Sequence, residues 1–317
     1  MNRDALRTPA PRRAPSVPVD DLLPDVPRAV PPSGAPIEGP IDGGFEGDER
    51  EDADVPAPVV APKTQRSRLL AAASVVRRWF DSWDGDPAIG HAPGRIDWVR
   101  IAPFIALHAS VLLIPLVGWS PVAVIVAAAL YFVRMFAITA FYHRYFSHRT
   151  FKTSRPMQFV FALLGNSAVQ RGPLWWAAHH REHHAYSDTS RDPHSALLRG
   201  FVWSHCGWFL SRENFKTRLH RVRDLARFPE LCFLDRFDVL VPLFGAALAY
   251  GVGELLRIFV PGAGTNGVQL LVWSIISTVV LFHATFTINS LSHLFGSRPY
   301  ETGSGRRRRP CSFVGST

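Results

Sequence analysis

Four apolar runs leave this 317-residue chain few folds to choose from. They are IAPFIALHASVLLIPLVGW at 101–119, VAVIVAAALYFVRMFAITAFY at 122–142, FDVLVPLFGAALAYGVG at 237–253 with an extension through LLRIFV, and VQLLVWSIISTVVLFHATFTINSLSH at 268–293. Each has, or nearly has, the roughly 20 helical residues that a hydrocarbon core requires. Inside lipid every backbone N–H and C=O must be paired within the protein, so such runs are helices. The sequence therefore predicts an all-α integral membrane fold with four transmembrane helices. Arg134, His108 and His283 fall within the runs and should face protein or water rather than acyl chains.

Charge sets the expected topology. The link between runs two and three, His143 to Arg236, carries fifteen Lys and Arg, whereas the Gly118–Pro121 hairpin carries none. The positive-inside rule puts that link in the cytoplasm, with the cytoplasmic ends of runs two and four on the same face. A bacterial inner membrane with a cytoplasmic, histidine-rich helical cap follows as the expectation. The net charge of +9 is then accounted for by membrane loops. No basic folded module is present to support a nucleic-acid partner. Three cysteines without CxxC spacing argue against a disulfide framework or a zinc knuckle.

Residues 1–62 are rich in Pro, Ala, Gly and acidic side chains and should form a disordered tail. Residues 63–95 hold an amphipathic segment, Leu69, Leu70, Val75, Val76, Trp79 and Phe80 among arginines. That segment reads either as an interfacial helix or as a helix packed on the domain. Residues 96–303 would form the membrane domain, and 304–317 an arginine-rich tail.

Of thirteen histidines, eight fall between His143 and His205. In HREHH, His180, His183 and His184 have i, i+3, i+4 spacing and share one helical face. In HRYFSH, His143 and His148 are five apart, about 140° on an ideal helix. They would then serve two metals, or the helix would end between them. Run four closes on Thr285, Asn289 and His293, an i, i+4, i+8 polar stripe. Six clustered imidazoles exceed what one tetrahedral zinc takes, so a dinuclear site is the economical inference. With neither ExxH nor HExxH, the soluble di-iron bundles and the zincin proteases are excluded. Glu182 should point away from the ligands as a surface or supporting group. Asp188 and Asp192 either orient histidines or lie in a solvated loop.

HRYFSH, HHREHHAYSDTSRDPH and NSLSHLFG resemble the membrane fatty acyl desaturases, specifically the acyl-CoA Δ9 (stearoyl-CoA) type and bacterial relatives, over roughly residues 95–303. The resemblance implies four membrane helices under a cytoplasmic cap, with two irons held by nine histidines and a water on an asparagine. It implies O2 as co-substrate, two electrons per turnover, and removal of two hydrogens from a saturated acyl-CoA or acyl-lipid. Carried over by motif, the ligands are His143, His148, His180, His183, His184 and His293, with Asn289 holding the water and no separate catalytic acid or base. His179, His194 and His205 are not ligands in that family and would be supporting or structural. Gln170, Trp176 and Thr285 match residues that shape the bend of the acyl tunnel, and Tyr131 the residue that closes its far end. With no HPGG haem motif, the electron donor would be a separate ferredoxin, rubredoxin or cytochrome b5 type protein.

One part of the pattern departs. The family's third cluster, HNxHH, is expected after the YxTG segment, but Tyr300-Glu301-Thr302-Gly303 runs into SGRRRRPCSFVGST, and no histidine follows His293. The tail reads as out-of-frame or truncated coding sequence, or as a basic segment on an anionic leaflet. Three absent ligands would leave the irons incompletely held and the activity impaired. Two other readings stay open: a histidine-rich alkane or fatty acid hydroxylase, and a non-catalytic lipid-binding remnant.

Overall fold

The computed structural model describes residues 65–84 and 94–295. The expected tails at 1–62 and 304–317, and part of the 63–95 segment, lie outside those residues. Helix α1 (Gln65–Phe80) precedes four long apolar helices: α2 (Trp98–Val117), α3 (Pro121–Ser147), α7 (Leu240–Phe259) and α8 (Gly267–Leu294). Between α3 and α7 lie α4 (Arg155–Asn166), α5 (Pro173–Tyr186), short helical turns over 196–226, and α6 (Pro229–Arg236). This is a helical integral membrane protein. Large apolar side chains such as Leu112, Leu116, Phe132, Phe136, Phe244 and Phe259 stand on exposed faces of the long helices. Lipid, not water, is the solvent such faces suit.

Local chemistry sets where the helices begin. Ser120 Oγ accepts from Ala123 N at 3.0 Å while Pro121 supplies a ready-made first helical residue. Asn266 Oδ1 does the same for Gln269 N at 2.9 Å at the head of α8. The hairpin between α2 and α3 turns on Gly118, whose φ of +66° disfavours any residue with a Cβ. Helix α8 packs along both α3 and α7, so it forms the bundle's interior.

Three boundaries differ from the sequence reading. Span one begins at Trp98, where Asp97 caps Arg100 N. Span three begins at Leu240, not Phe237, and takes in the expected extension as far as Phe259, with Glu254 paired to Arg257 at 2.7 Å and also accepting from Gly267 N at 2.9 Å. Span two does not stop at Tyr142. From Ala137 to Ser147 it continues as a π-helix, with His148 N bonded to the His143 carbonyl at 3.2 Å. Of the ionisable groups expected to avoid lipid, Arg134 is buried and His108 half-buried. His283 is exposed, and its Nδ1 lies 3.1 Å from His205 Nε2.

The end of α1 is tied to the domain. Trp79 Nε1 donates to the Val99 carbonyl at 2.6 Å, and Arg236 pairs with Asp81 at 2.7 Å. Helices α4 and α5 pack on the π-helical end of α3, and α6 packs on both, around Tyr142, Phe146, Leu174, Leu225 and Leu231. The outcome is a helical layer over one end of the bundle, with the histidine-bearing faces between.

Candidate metal centre

The histidines of α5 can be placed only if α5 itself is fixed, and its N-terminus lacks a local cap. Asp235 of α6 caps it from a distance, Oδ1 accepting from Trp175 N at 2.7 Å. Its other oxygen accepts from Trp83 Nε1 at 2.8 Å and Thr217 Oγ1 at 2.7 Å. Burial pushes this carboxyl above the usual carboxylate range, while those donors pull the other way. The approach is so close that a Cβ on Gly172 would fall 2.3 Å from the Asp235 Cα, which accounts for glycine there.

Arg181, between the histidines of HREHH, fixes the opposite side. Its guanidinium donates to the carbonyls of Phe146 at 2.8 Å and Ser147 at 3.0 Å, where the π-helix ends, and to Asp224 at 2.7 Å. One arginine thus joins the two histidine motifs. Sequence reasoning missed both Asp235 and Arg181. The only available signal for Arg181 was its position inside the motif, and none marked Asp235.

His143, His148, His180 and His184 converge, with one ligand nitrogen of each within 4.8 Å of the others. His180 is the hub, its Nε2 3.0 Å from the Nε2 of both His148 and His184. Its ring centroid is 4.7 Å from that of His143. Two imidazoles about 2.05 Å from one metal ion would have nitrogens about 2.9 Å apart at right angles and about 3.3 Å apart at the tetrahedral angle. The observed spacing fits a first-row metal. The π winding answers the question left open for HRYFSH. Bonding from residue i to i+5 stacks residues five apart, so the His143 and His148 rings stand 4.6 Å apart in a single group. Assigning them to two metals does not match this grouping, whereas the helix does end between them, at Ser147, with His148 as its C-cap.

Burial, then the neighbouring imidazoles, depresses His180 far below the ordinary histidine range. Burial and His183 lower His184 to about 4. Both rings are therefore neutral at pH 7, the state that ligates metal.

A second group adjoins the first across the 5.5 Å between the His183 and His184 rings. His183 Nδ1 lies 3.0 Å from Asp192 Oδ1, which leaves Nε2 for a ligand. The His293 ring is 5.0 Å from that of His183, with Asp188 Oδ1 3.5 Å from His293 Nδ1. His194, expected only to support, stacks on His183 at 4.1 Å and falls with His183 and Asp192 into a second candidate metal group. Asp192 and Asp188 are in place to orient histidines. Asp192→Asn is expected to weaken metal at this group about 10–100-fold, measured by metal retained on dialysis against graded chelator. Unchanged retention would remove the orienting role.

Glu182 does point away from both groups, but it is not on the surface. It is buried, paired with Arg218 and 3.8 Å from Arg221. His179 is buried against Trp208, with Nδ1 2.9 Å from the Trp175 carbonyl. Asn289 lies one turn before His293, where its carbonyl accepts from Ser204 Oγ at 2.9 Å.

Of the four residues expected along an acyl chain, Trp176 lies beside the histidines, Gln170 and Thr285 bond to each other, and Tyr131 lies farther along α3. Trp176 stacks on His180 with centroids 4.8 Å apart and planes 23° apart. Gln170 Nε2 donates to Thr285 Oγ1 at 2.8 Å, joining α8 to the segment before α5. Tyr131, three turns earlier on α3 than His143, packs against the apolar core and against Phe132.

Comparison with known proteins accords with this arrangement. The family profile for fatty acid desaturases matches residues 117–315. An sn-2 palmitoyl-lipid 9-desaturase of Nostoc sp. is 35% identical over 227 residues, covering 70% of this chain and 74% of that protein. An sn-1 stearoyl-lipid 9-desaturase of Anabaena variabilis is 33% identical over 215 residues, 66% of this chain and 73% of that protein. A Delta(9)-fatty-acid desaturase of Caenorhabditis elegans is 34% identical over 217 residues, 65% of this chain and 62% of that protein.

Proposed function

Since this chain belongs to the fatty acid desaturase family, we propose that it is a Δ9-type enzyme acting on a saturated acyl-lipid or acyl-CoA beside an iron centre built from its histidine clusters. The observation that carries this reading is the convergence of His143, His148, His180 and His184 at one point, with Trp176 stacked on the hub. The named activities of the relatives support position 9.

The reaction converts a CH2–CH2 unit to CH=CH while O2, two electrons and two protons become two waters. Iron supplies the oxygen chemistry that amino-acid side chains cannot. The chain's own residues hold and orient. Neutral imidazoles add no negative charge to the metals, so a redox-active cation remains electron-poor. Trp176 presents an apolar face beside His180, as a greasy substrate and a dry reaction site require. The Gln170 amide N–H is taken up by Thr285 Oγ1, which itself donates to the Leu281 and Phe282 carbonyls, so the hydroxyl is paired within the protein. Electrons come from a separate ferredoxin, rubredoxin or cytochrome b5 type protein. The fifteen positive charges of the long link favour a cytoplasmic histidine face.

The second group comprises His183, His293, His194 and Asp192. The test is iron analysis of the purified full chain together with gas chromatography of products from a saturated acyl donor. An unsaturated product supports the reading. A hydroxylated product, or metal-free protein after reconstitution, overturns it. Tyr131→Ala is expected to lengthen the longest acyl chain accepted. An unchanged chain-length ceiling in the same chromatographic profile would refute that role.

A further inference from the structure

Arg134 lies near the middle of α3, about 20 Å along the axis from Pro121 and about 14 Å from His143. It is 9% exposed, too enclosed at that depth for its guanidinium to reach a headgroup layer. One terminal nitrogen donates to Thr278 Oγ1 at 2.8 Å and to the Ser274 carbonyl at 3.4 Å. Its Nε is buried without a partner, and so is Ser277 Oγ. Ser274, Ser277 and Thr278 have i, i+3, i+4 spacing on α8, so they share the face that meets Arg134.

The charge has no counter-charge nearby. Glu254 is the one carboxylate within the four described spans. It is committed to Arg257 and to Gly267 N, and Gly267 is about 16 Å along α8 from Thr278. A buried ion that is neither paired nor fully hydrogen-bonded is among the costliest features a fold can hold. The hydroxyls around it are largely spent. Thr278 Oγ1 donates to the Ser274 carbonyl and Ser274 Oγ to that of Leu270. What remains is one positive charge and unused donors, among them the fully buried Arg134 Nε–H and the Ser277 hydroxyl. That set selects a negative guest.

We propose that Arg134 and Ser277 bind a small monovalent anion, a halide or a carboxylate of formate size, between α3 and α8 in the middle of the membrane. The anion completes the guanidinium's hydrogen bonding and locks the two helices that carry the cluster ligands His143 and His148 and the stripe residue His293.

The test is thermal unfolding of the full chain in detergent micelles, followed by tryptophan fluorescence at constant ionic strength. Sodium gluconate, whose anion is too bulky for such a site, is replaced stepwise by sodium chloride, bromide or formate. A saturable rise in the unfolding midpoint is expected with all three small anions in the wild type and not in Arg134→Gln. Ser277→Ala should raise the half-saturating concentration about tenfold, as loss of a hydrogen bond to a charged partner does. A wild type indifferent to the small anions, or an Arg134→Gln variant that responds equally, overturns the proposal and leaves water as the guanidinium's partner. Should Arg134→Gln fail to fold, Ser277→Ala decides, and an unchanged half-saturation rejects the site.

Discussion

His180→Ala is expected to empty the four-histidine group of metal while leaving the helical fold in place. Like His148, His180 neighbours all three of its companions, and it alone of the four makes two close nitrogen contacts. Its Nε2 stands 3.0 Å from those of His148 and His184, and its ring is 4.7 Å from that of His143. Removing it leaves three imidazoles without the member that brings them to a common point. The loss of affinity should exceed the 10–100-fold that deletion of a supporting partner costs. The metal-free fold should tolerate the change, because the lost ring is one of several mutually crowding imidazoles and not a strut of the core. Cobalt or iron bound per chain after dialysis reads the first effect, and helical circular dichroism the second. Wild-type stoichiometry at this group in the variant would show that the cluster is not a metal site.

Asp235→Ala should do the reverse, damaging the fold first and the metal site as a consequence. Asp235 is fully buried and accepts three hydrogen bonds, from Trp83, Trp175 and Thr217. Alanine would leave the Trp83 and Trp175 N–H groups and the Thr217 hydroxyl buried without acceptors. At about 1–3 kcal/mol for each unsatisfied group, a loss of about 3 kcal/mol or more is expected. It would also uncap the helix that presents His180, His183 and His184. A lower unfolding midpoint should therefore coincide with a loss of bound metal. A midpoint within a degree of the wild type would mean that the cap is held by other contacts. Asp235→Asn should fall between, because one oxygen can still accept from Trp175 while the amide faces donors that it cannot satisfy.

These two residues also mark what a reader of the sequence could and could not see. The four spans were legible because lipid allows one local solution, a helix, for a run of that length. The face shared by His180, His183 and His184 was legible because α winding fixes which residues align. The Gln170, Trp176 and Thr285 positions came from motif offsets; in the structure Gln170 bonds to Thr285 of α8 and Trp176 stacks on His180. What failed to show was anything set by contact between distant segments. Asp235 caps a helix sixty residues away, and Arg181 closes the end of another, and neither role leaves a local pattern. His194 looked incidental because proline and turn residues separate it from the helix on which its ring stacks. The HRYFSH pair was left with two readings for a different reason: ideal α geometry was applied where the backbone is wound more loosely.

That looser coil makes residue spacing and backbone pitch interchangeable. Five steps around a wide spiral bring a second imidazole beneath the first, as four steps would on a tighter one. Excising one residue between His143 and His148, and letting the backbone tighten to match, would present the same pair of rings through a different register. The wide coil thus permits an extra aromatic residue near the membrane surface while the two rings stay side by side.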